Sequence, residues 1–177
     1  PDTLIFCTHP PVVTLGRKTQ QGDVFAWDGP IKEISRGGRA TYHGPSQLLV
    51  YPLINLDRTD LKHRAHRDVH AFLRKLENAI VLTLKEFNIT AVGKNSEDET
   101  GVWVDSKKIA SLGIGVKHWV TYHGAAINLT NDEKAFYGMN PCGFSNTIMT
   151  SAERLLQAPV DRQKFESILK NILLESL

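Results

Sequence analysis

A chain of 177 residues with 41% hydrophobic and 23% charged side chains has the size and balance of one compact domain with a single core. A formal net charge of only +2, at a sequence pI near 8.7, is too even for a protein held on nucleic acid by a broad basic surface. Two cysteines, Cys7 and Cys142, stand far apart with no CxxC pair, which gives no support to a disulfide framework or a closed zinc site.

No apolar run approaches the length needed to cross a bilayer, and Pro1-Asp2-Thr3 carries neither a basic nor an apolar leader region. A reducing cytoplasm is the expected setting. The apolar run that follows Pro1 so closely leads us to expect a natural chain that begins further upstream.

In chain order, residues 4–8 read as a short buried strand, broken by His9-Pro10-Pro11, and residues 12–15 as an extended segment ended by Gly16. Residues 31–35 form the next strand and run into Arg36-Gly37-Gly38. Residues 48–54 supply an apolar stretch suited to a strand covered on both faces. Asp60 is a candidate helix cap. From about His66 to Phe87, Val69, Phe72, Leu73, Leu76, Ile80, Leu84 and Phe87 recur at spacings of three and four, the pattern of an amphipathic helix. Residues 94–100 are polar and turn-rich. Residues 102–104 and 109–116, joined through Asp105-Ser106, read as a hairpin, and residues 120–129 as a further strand. Ser151 caps a short helix ending near Gln157, and Asp161 caps a final helix through Leu174. The expected fold is α+β: a single domain whose mixed or antiparallel sheet is flanked by helices, packed on one face. Thr41-Tyr42-His43-Gly44 returns as Thr121-Tyr122-His123-Gly124 without matching flanks, which suggests two strand ends built for similar local work.

Four places can carry chemistry. Arg36-Gly37-Gly38 followed by Tyr42-His43-Gly44-Pro45 is a ligand-loop candidate, because glycines let backbone N–H groups approach a ligand closely; a plain tight turn is the structural alternative. It lacks the endings of a P-loop and of a dinucleotide fingerprint. Cys142, between Pro141 and Gly143, lies in a non-periodic segment where backbone amides could face a reacting carbonyl, and a thiolate is the species that attacks a thioester. A free buried cysteine is the alternative, and Cys7, mid-strand, fits it better. Strand alternation aims Lys107 and Lys108 to opposite faces. Lys108 is taken as the inward one, where burial of an amine favours its neutral, basic form; two lysines that simply solubilise a turn are the alternative. His63, His66 and His70 share a helical face with Lys62, Arg64 and Arg67; His66 and His70 could chelate a metal, but no carboxylate completes a catalytic site, and a solvated basic face is the simpler reading, with docking of an acidic partner as the alternative.

Taken together, Arg36-Gly37-Gly38-Arg39-Ala40-Thr41-Tyr42-His43-Gly44-Pro45-Ser46-Gln47, Lys108-Ile109-Ala110-Ser111-Leu112-Gly113, Thr121-Tyr122-His123-Gly124 and Asn140-Pro141-Cys142-Gly143 resemble, in order and spacing, the lipoyl(octanoyl) transferases. The resemblance spans nearly the whole chain and implies a fold like that of biotin and lipoate protein ligases. It implies that Cys142 accepts an octanoyl group from octanoyl acyl carrier protein as a thioester. The group then passes to a lysine ε-amine on a lipoyl domain, of a 2-oxoacid dehydrogenase complex or of the glycine cleavage H protein. Lys108 would move the protons, and neither ATP nor a metal would be needed. The family's substrate-binding blocks fall on Arg36 through His43, on Ser111, Leu112 and Gly113, and on His123, Gly124 and Ala125.

Two positions depart from that pattern. Arg39 stands where an uncharged or acidic residue is usual, and Ser46 where glycine is usual, which bears on acyl-chain selectivity and on the loop's shape. The rival readings are an ATP-dependent lipoate or biotin ligase on the same scaffold and a silent module that binds an acylated carrier without reacting.

Overall fold

The computed structural model describes residues 1–59, 65–94, 96 and 99–177. Along the chain it contains β1 (Thr3–Cys7), β2 (Val12–Leu15), β3 (Ile31–Glu33), β4 (Thr41–His43), β5 (Gln47–Leu53), α1 (Val69–Glu86), β6 (Val92–Lys94), β7 (Gly101–Val104), β8 (Lys107–Lys117), β9 (Val120–Asn128), α2 (Ala152–Leu156) and α3 (Arg162–Ser176). Single turns of 3₁₀ helix lie at Pro141–Gly143 and Asn146–Ile148.

The strands form two sheets. The larger runs β1-β5-β9-β8-β7-β6, antiparallel at every pairing; the smaller, β3-β2-β4, is mixed, with β2 parallel to β3 and antiparallel to β4. Strand β4 lies within the ligand-loop candidate, at one of the two expected strand ends, and β6 lies where sequence patterning marks no strand. Each has only three residues, too few for an alternation to show.

Helix α1 buries Leu76, Ile80 and Leu84, and α3 buries Phe165, Leu169 and Leu173, against one face of the large sheet, each buried side chain contributing about 1.5–3 kcal/mol, while Phe72 of α1 joins a separate cluster with Ile54, Leu56, Ala65 and Ile114. The helix begins at Val69, later than the periodicity suggests, because the Asp68 carboxylate caps it by accepting the Ala71 N–H at 2.9 Å. Asp60 lies outside the described residues.

Alternation along β5 separates the two faces. Leu48 and Val50 join the core beneath the helices, while Leu49 and Tyr51 point into a cavity on the other side. The expectation of a sheet packed on one face is therefore corrected: the small sheet, with its own core of Val13, Ala40, Tyr42, Phe136, Met139 and Met149, closes over the second face.

Candidate active site

The cavity between the sheets holds about 350 Å³. Leu49, Tyr51, Ser111, Leu112, Gly113, Gly124, Ala125 and Ala126 line it from the large sheet; Val12, Thr14, Thr41 and His43 line it from the small one. Close backbone approach shapes it. A Cβ on Gly124 would fall 2.0 Å from the Val50 carbonyl oxygen, so only glycine lets β9 run this near β5. The Gly37 N–H bonds the Ile114 carbonyl at 3.0 Å and ties the arginine-glycine loop to β8.

Arg36 organises the polar side of the cavity. It is 6% exposed, and burial draws its pKa below the ordinary guanidinium value. Its Nη1 donates to the carbonyls of Gly37 and Arg39 at 2.9 and 2.7 Å, and its Nη2 to the Thr14 carbonyl and hydroxyl at 2.8 and 2.9 Å. The Thr14 hydroxyl, accepting from Arg36, donates onward to His43 Nε2 at 3.3 Å, which leaves His43 Nδ1–H for Gln47 Oε1 at 3.3 Å. Burial first, and then Arg36, push the His43 imidazole down to about 4, so it is neutral near pH 7. Burial and Arg36 likewise depress His123. The repeated Thr-Tyr-His-Gly words thus place one histidine on each sheet, facing the same cavity.

Cys142 sits at φ 55°, ψ 22° in the Pro141–Gly143 turn, in the left-handed region, and is half-buried. One expectation fails here. The N–H groups of Cys142, Gly143 and Phe144 are committed to the carbonyls of Ala40, Asn140 and Pro141 at 2.9, 3.0 and 3.1 Å, so the turn satisfies its own amides and leaves none of these three for a reacting carbonyl. Among the described residues four buried side-chain polar atoms lack partners, and three of them, Arg36 Nε, Thr41 Oγ1 and Ser111 Oγ, belong to residues that line the cavity; the fourth is Ser176 Oγ on α3.

Lys108 is 1% exposed while Lys107 is exposed, its Nζ donating to the Thr147 carbonyl at 2.8 Å. Simple alternation sends Lys107 and Lys108 to opposite faces, but the strand is not simply alternating. A register shift opposite Val102 and Trp103 leaves Ile109 unpaired with β7, and Lys108, Ile109 and Ala110 are buried in succession. Lys108 Nζ lies 5.5 Å from the centroid of the Trp103 ring. Lys108 lines a second, larger cavity of about 810 Å³ with Lys18, Arg39, Asp68, His70 and Arg74. Cys142, Gly38, Leu112 and Gly113 line both cavities. Cys142 therefore stands where the two meet.

Other sequence candidates fall elsewhere. Tyr42 belongs to the small sheet's core and donates from its hydroxyl to Asp132 at 3.2 Å, and Ser46 donates to the same carboxylate at 3.2 Å; neither lines the apolar cavity, so the Ser46 departure does not touch it. Ala40 offers its carbonyl to Cys142 rather than a side chain to a ligand. His66 precedes α1, so it and His70 are not one turn apart on a helix, and His66 Nε2 lies 3.7 Å from Asp57 Oδ1. Lys62, His63 and Arg64 lie outside the described residues. Cys7 is half-buried in β1, where burial pushes its thiol up. Sequence reading missed His9, Thr14, Leu49, Tyr51 and Ala126 as lining residues; the alternation within β5 could have singled out Leu49 and Tyr51.

The Lipoyl protein ligase A/B catalytic domain family matches residues 1–173. The Octanoyltransferase of Bdellovibrio bacteriovorus is 54% identical over 187 residues, covering 100% of this chain and 85% of its own. This chain belongs to the octanoyltransferase family. The Octanoyltransferase of Geobacter metallireducens is 41% identical over 160 residues, 90% of this chain and 71% of its own. As an octanoyltransferase the protein is an acyltransferase. Its fold is shared with a chain from the bi-partite lipoate protein ligase of Thermoplasma acidophilum (TM-score 0.74, 16% identity, 99% of this chain and 71% of that one). A biotin protein ligase from Aquifex aeolicus, solved with biotin and ATP, matches more loosely (TM-score 0.58, 15% identity, 93% and 69%).

Proposed function

We propose that Cys142 carries the octanoyl group as a thioester between octanoyl acyl carrier protein and a lysine ε-amine of a lipoyl domain, with Lys108 as its proton-transfer partner. The observation that carries this reading is the place of Cys142 at the junction of the two cavities. The smaller cavity, lined by Val12, Leu49, Leu112, Ala125 and Ala126, suits the hydrocarbon tail. The larger one, lined by Lys108 itself, suits the two partners that must reach the sulfur in turn.

In the first half-reaction the Cys142 thiol gives its proton to Lys108 Nζ, the thiolate attacks the thioester carbonyl, and the donor's C–S bond breaks as its sulfur takes the proton. In the second, the acceptor amine attacks the Cys142 thioester, the C–S bond to Cys142 breaks, and the amine's surplus proton returns to the sulfur through Lys108. The turn's own amides are spent. Arg36 Nε, Thr41 Oγ1 and Ser111 Oγ are the donors left to meet a carbonyl oxygen gathering charge.

The donor arrives activated, so the reading uses no nucleotide and no metal. The acceptors are lipoyl domains of 2-oxoacid dehydrogenase complexes and the glycine cleavage H protein, and a reducing cytoplasm keeps the sulfur a thiol. None of the described helices is long and apolar enough to cross a membrane.

Intact-mass measurement tests the reading. Incubation with octanoyl acyl carrier protein should add one octanoyl mass to the wild type and none to Cys142→Ala; an unmodified wild type overturns it. The ligase-like fold favours one rival, an ATP-dependent ligase. Nucleotide-dependent loading of free octanoate or lipoate that persists in Cys142→Ala would establish that rival.

A further inference from the structure

Behind two lining residues of the larger cavity, Arg74 and Lys108, lies a carboxylate that the transfer chemistry does not yet use. Glu77, on α1, is 2% exposed. Its Oε2 pairs with Arg74 Nη1 at 2.5 Å, one turn back along the helix, and Arg74 lines the larger cavity. Its Oε1 accepts the Gly101 N–H at 3.2 Å. Gly101 in turn forms the wall behind Lys108: a Cβ at that position would lie 2.5 Å from Lys108 Cε and 3.2 Å from Nζ. Carboxylate and amine thus lie against the same glycine.

We propose that Glu77 is a positioning residue for Lys108: it anchors the Gly101 backbone against which the lysine packs, and it supplies negative charge opposite the ammonium. The inference rests on the reading of Lys108 as the proton-transfer partner. No carboxylate among the described residues forms a direct ion pair with Lys108, so the ammonium that forms when Cys142 gives up its proton needs compensation from further away. Glu77 interacts with it through space from α1. Glu99, which also feels Lys108, is paired with Lys94 of β6 at 2.9 Å. Arg74 on α1, Lys108 on β8, and the Glu99 and Lys94 pair beside β7 and β6 are the charged groups around the site. A neutral Glu77 keeps the hydrogen bond to Gly101 but loses the charge, so the two parts of its role separate with pH. Burial pushes Glu77 up to about 7 despite the opposing pull of Arg74, the Gly101 amide and Lys108.

The test uses a small octanoyl thioester, so that carrier docking plays no part, and follows acyl-enzyme formation by intact mass against pH. The wild-type rate should rise as Glu77 ionises near pH 7. Glu77→Gln, which keeps an acceptor for Gly101, should lose that rise and run about tenfold slower above it, the size of one pKa unit of differential interaction. Arg74→Met, a half-exposed change that takes a cation from the carboxylate, should move the rise to higher pH. A Glu77→Gln profile parallel to wild type, or an Arg74→Met profile that does not move, overturns the proposal. A wild type that never acylates takes the Cys142 reading down with it, and so is distinguishable from failure of the Glu77 role alone.

Discussion

The Arg39 guanidinium occupies the space that a side chain on Gly143 would need: a Cβ there would fall 2.2 Å from Nη1 and 2.4 Å from Cζ. Arg39 is itself held by Asp23, through Nε to Oδ2 at 3.0 Å and through an Nη2–Oδ1 ion pair. Burial raises the Asp23 carboxyl, but Arg39 and the Gln20 N–H outweigh it and hold it below the usual range. The Asp23 carbonyl also accepts the Asn140 N–H at 2.8 Å, two residues before the cysteine. The charge that marks this chain's departure at position 39 is therefore spent on bracing the Cys142 turn. Gly143→Ala, at φ 83° and against that guanidinium, should cost about 1–3 kcal/mol in urea unfolding. Pairing it with Arg39→Ala should return the steric part and leave the backbone part.

Replacing Lys108 by Ala should slow acyl-enzyme formation by about 10²–10⁴-fold, the usual loss of a general acid or base. Lys107→Ala, which frees only a surface hydrogen bond to Thr147, should stay within about threefold of wild type in the same assay. Equal losses at the two sites would reassign the proton-transfer role.

Narrowing the smaller cavity should shorten the chains it accepts. Ala126 is 4% exposed and lines it, so Ala126→Leu pushes three further carbons into about 350 Å³. Competition between acyl thioesters of graded length should shift toward shorter chains. An unchanged preference would place the tail elsewhere.

Stability should depend on pH in two opposed ways. His43 is depressed from 6.5 to about 4, so the unfolded chain binds the proton first: its contribution is present above about pH 6.5 and lost as pH falls through 4. Glu77 is raised from 4.5 to about 7, so its contribution is present below about pH 4.5 and lost as pH rises through 7. Relative to wild type, Glu77→Gln should therefore gain thermal stability as pH climbs across that window, and His43→Gln should gain it as pH falls across its own. Differences that do not vary with pH would contradict these assignments.

Much of the architecture was legible beforehand because it is local. The spacing of Phe72, Leu76, Ile80 and Leu84 requires a helix with one buried stripe, and Asp161 and Ser151 cap α3 and α2 as their side-chain chemistry predicts. Alternation sends Lys107 and Lys108 to opposite faces, and Lys108 is taken as the inward one. The assignment agrees with its burial, although the unpaired Ile109 is what lets three successive residues be buried there.

From the chain alone one can determine which segments bend, alternate or coil, and which residue types could do chemistry, since these follow from steric and hydrophobic preferences within a few neighbours. Only the folded molecule decided that the amides around Cys142 are already taken, that the small sheet roofs a cavity, and that Glu77 and Lys108 meet at Gly101. Those facts depend on hydrogen bonds and packing between strands distant along the chain, and satisfaction of a donor or burial of a charge is a property of the partner as much as of the residue.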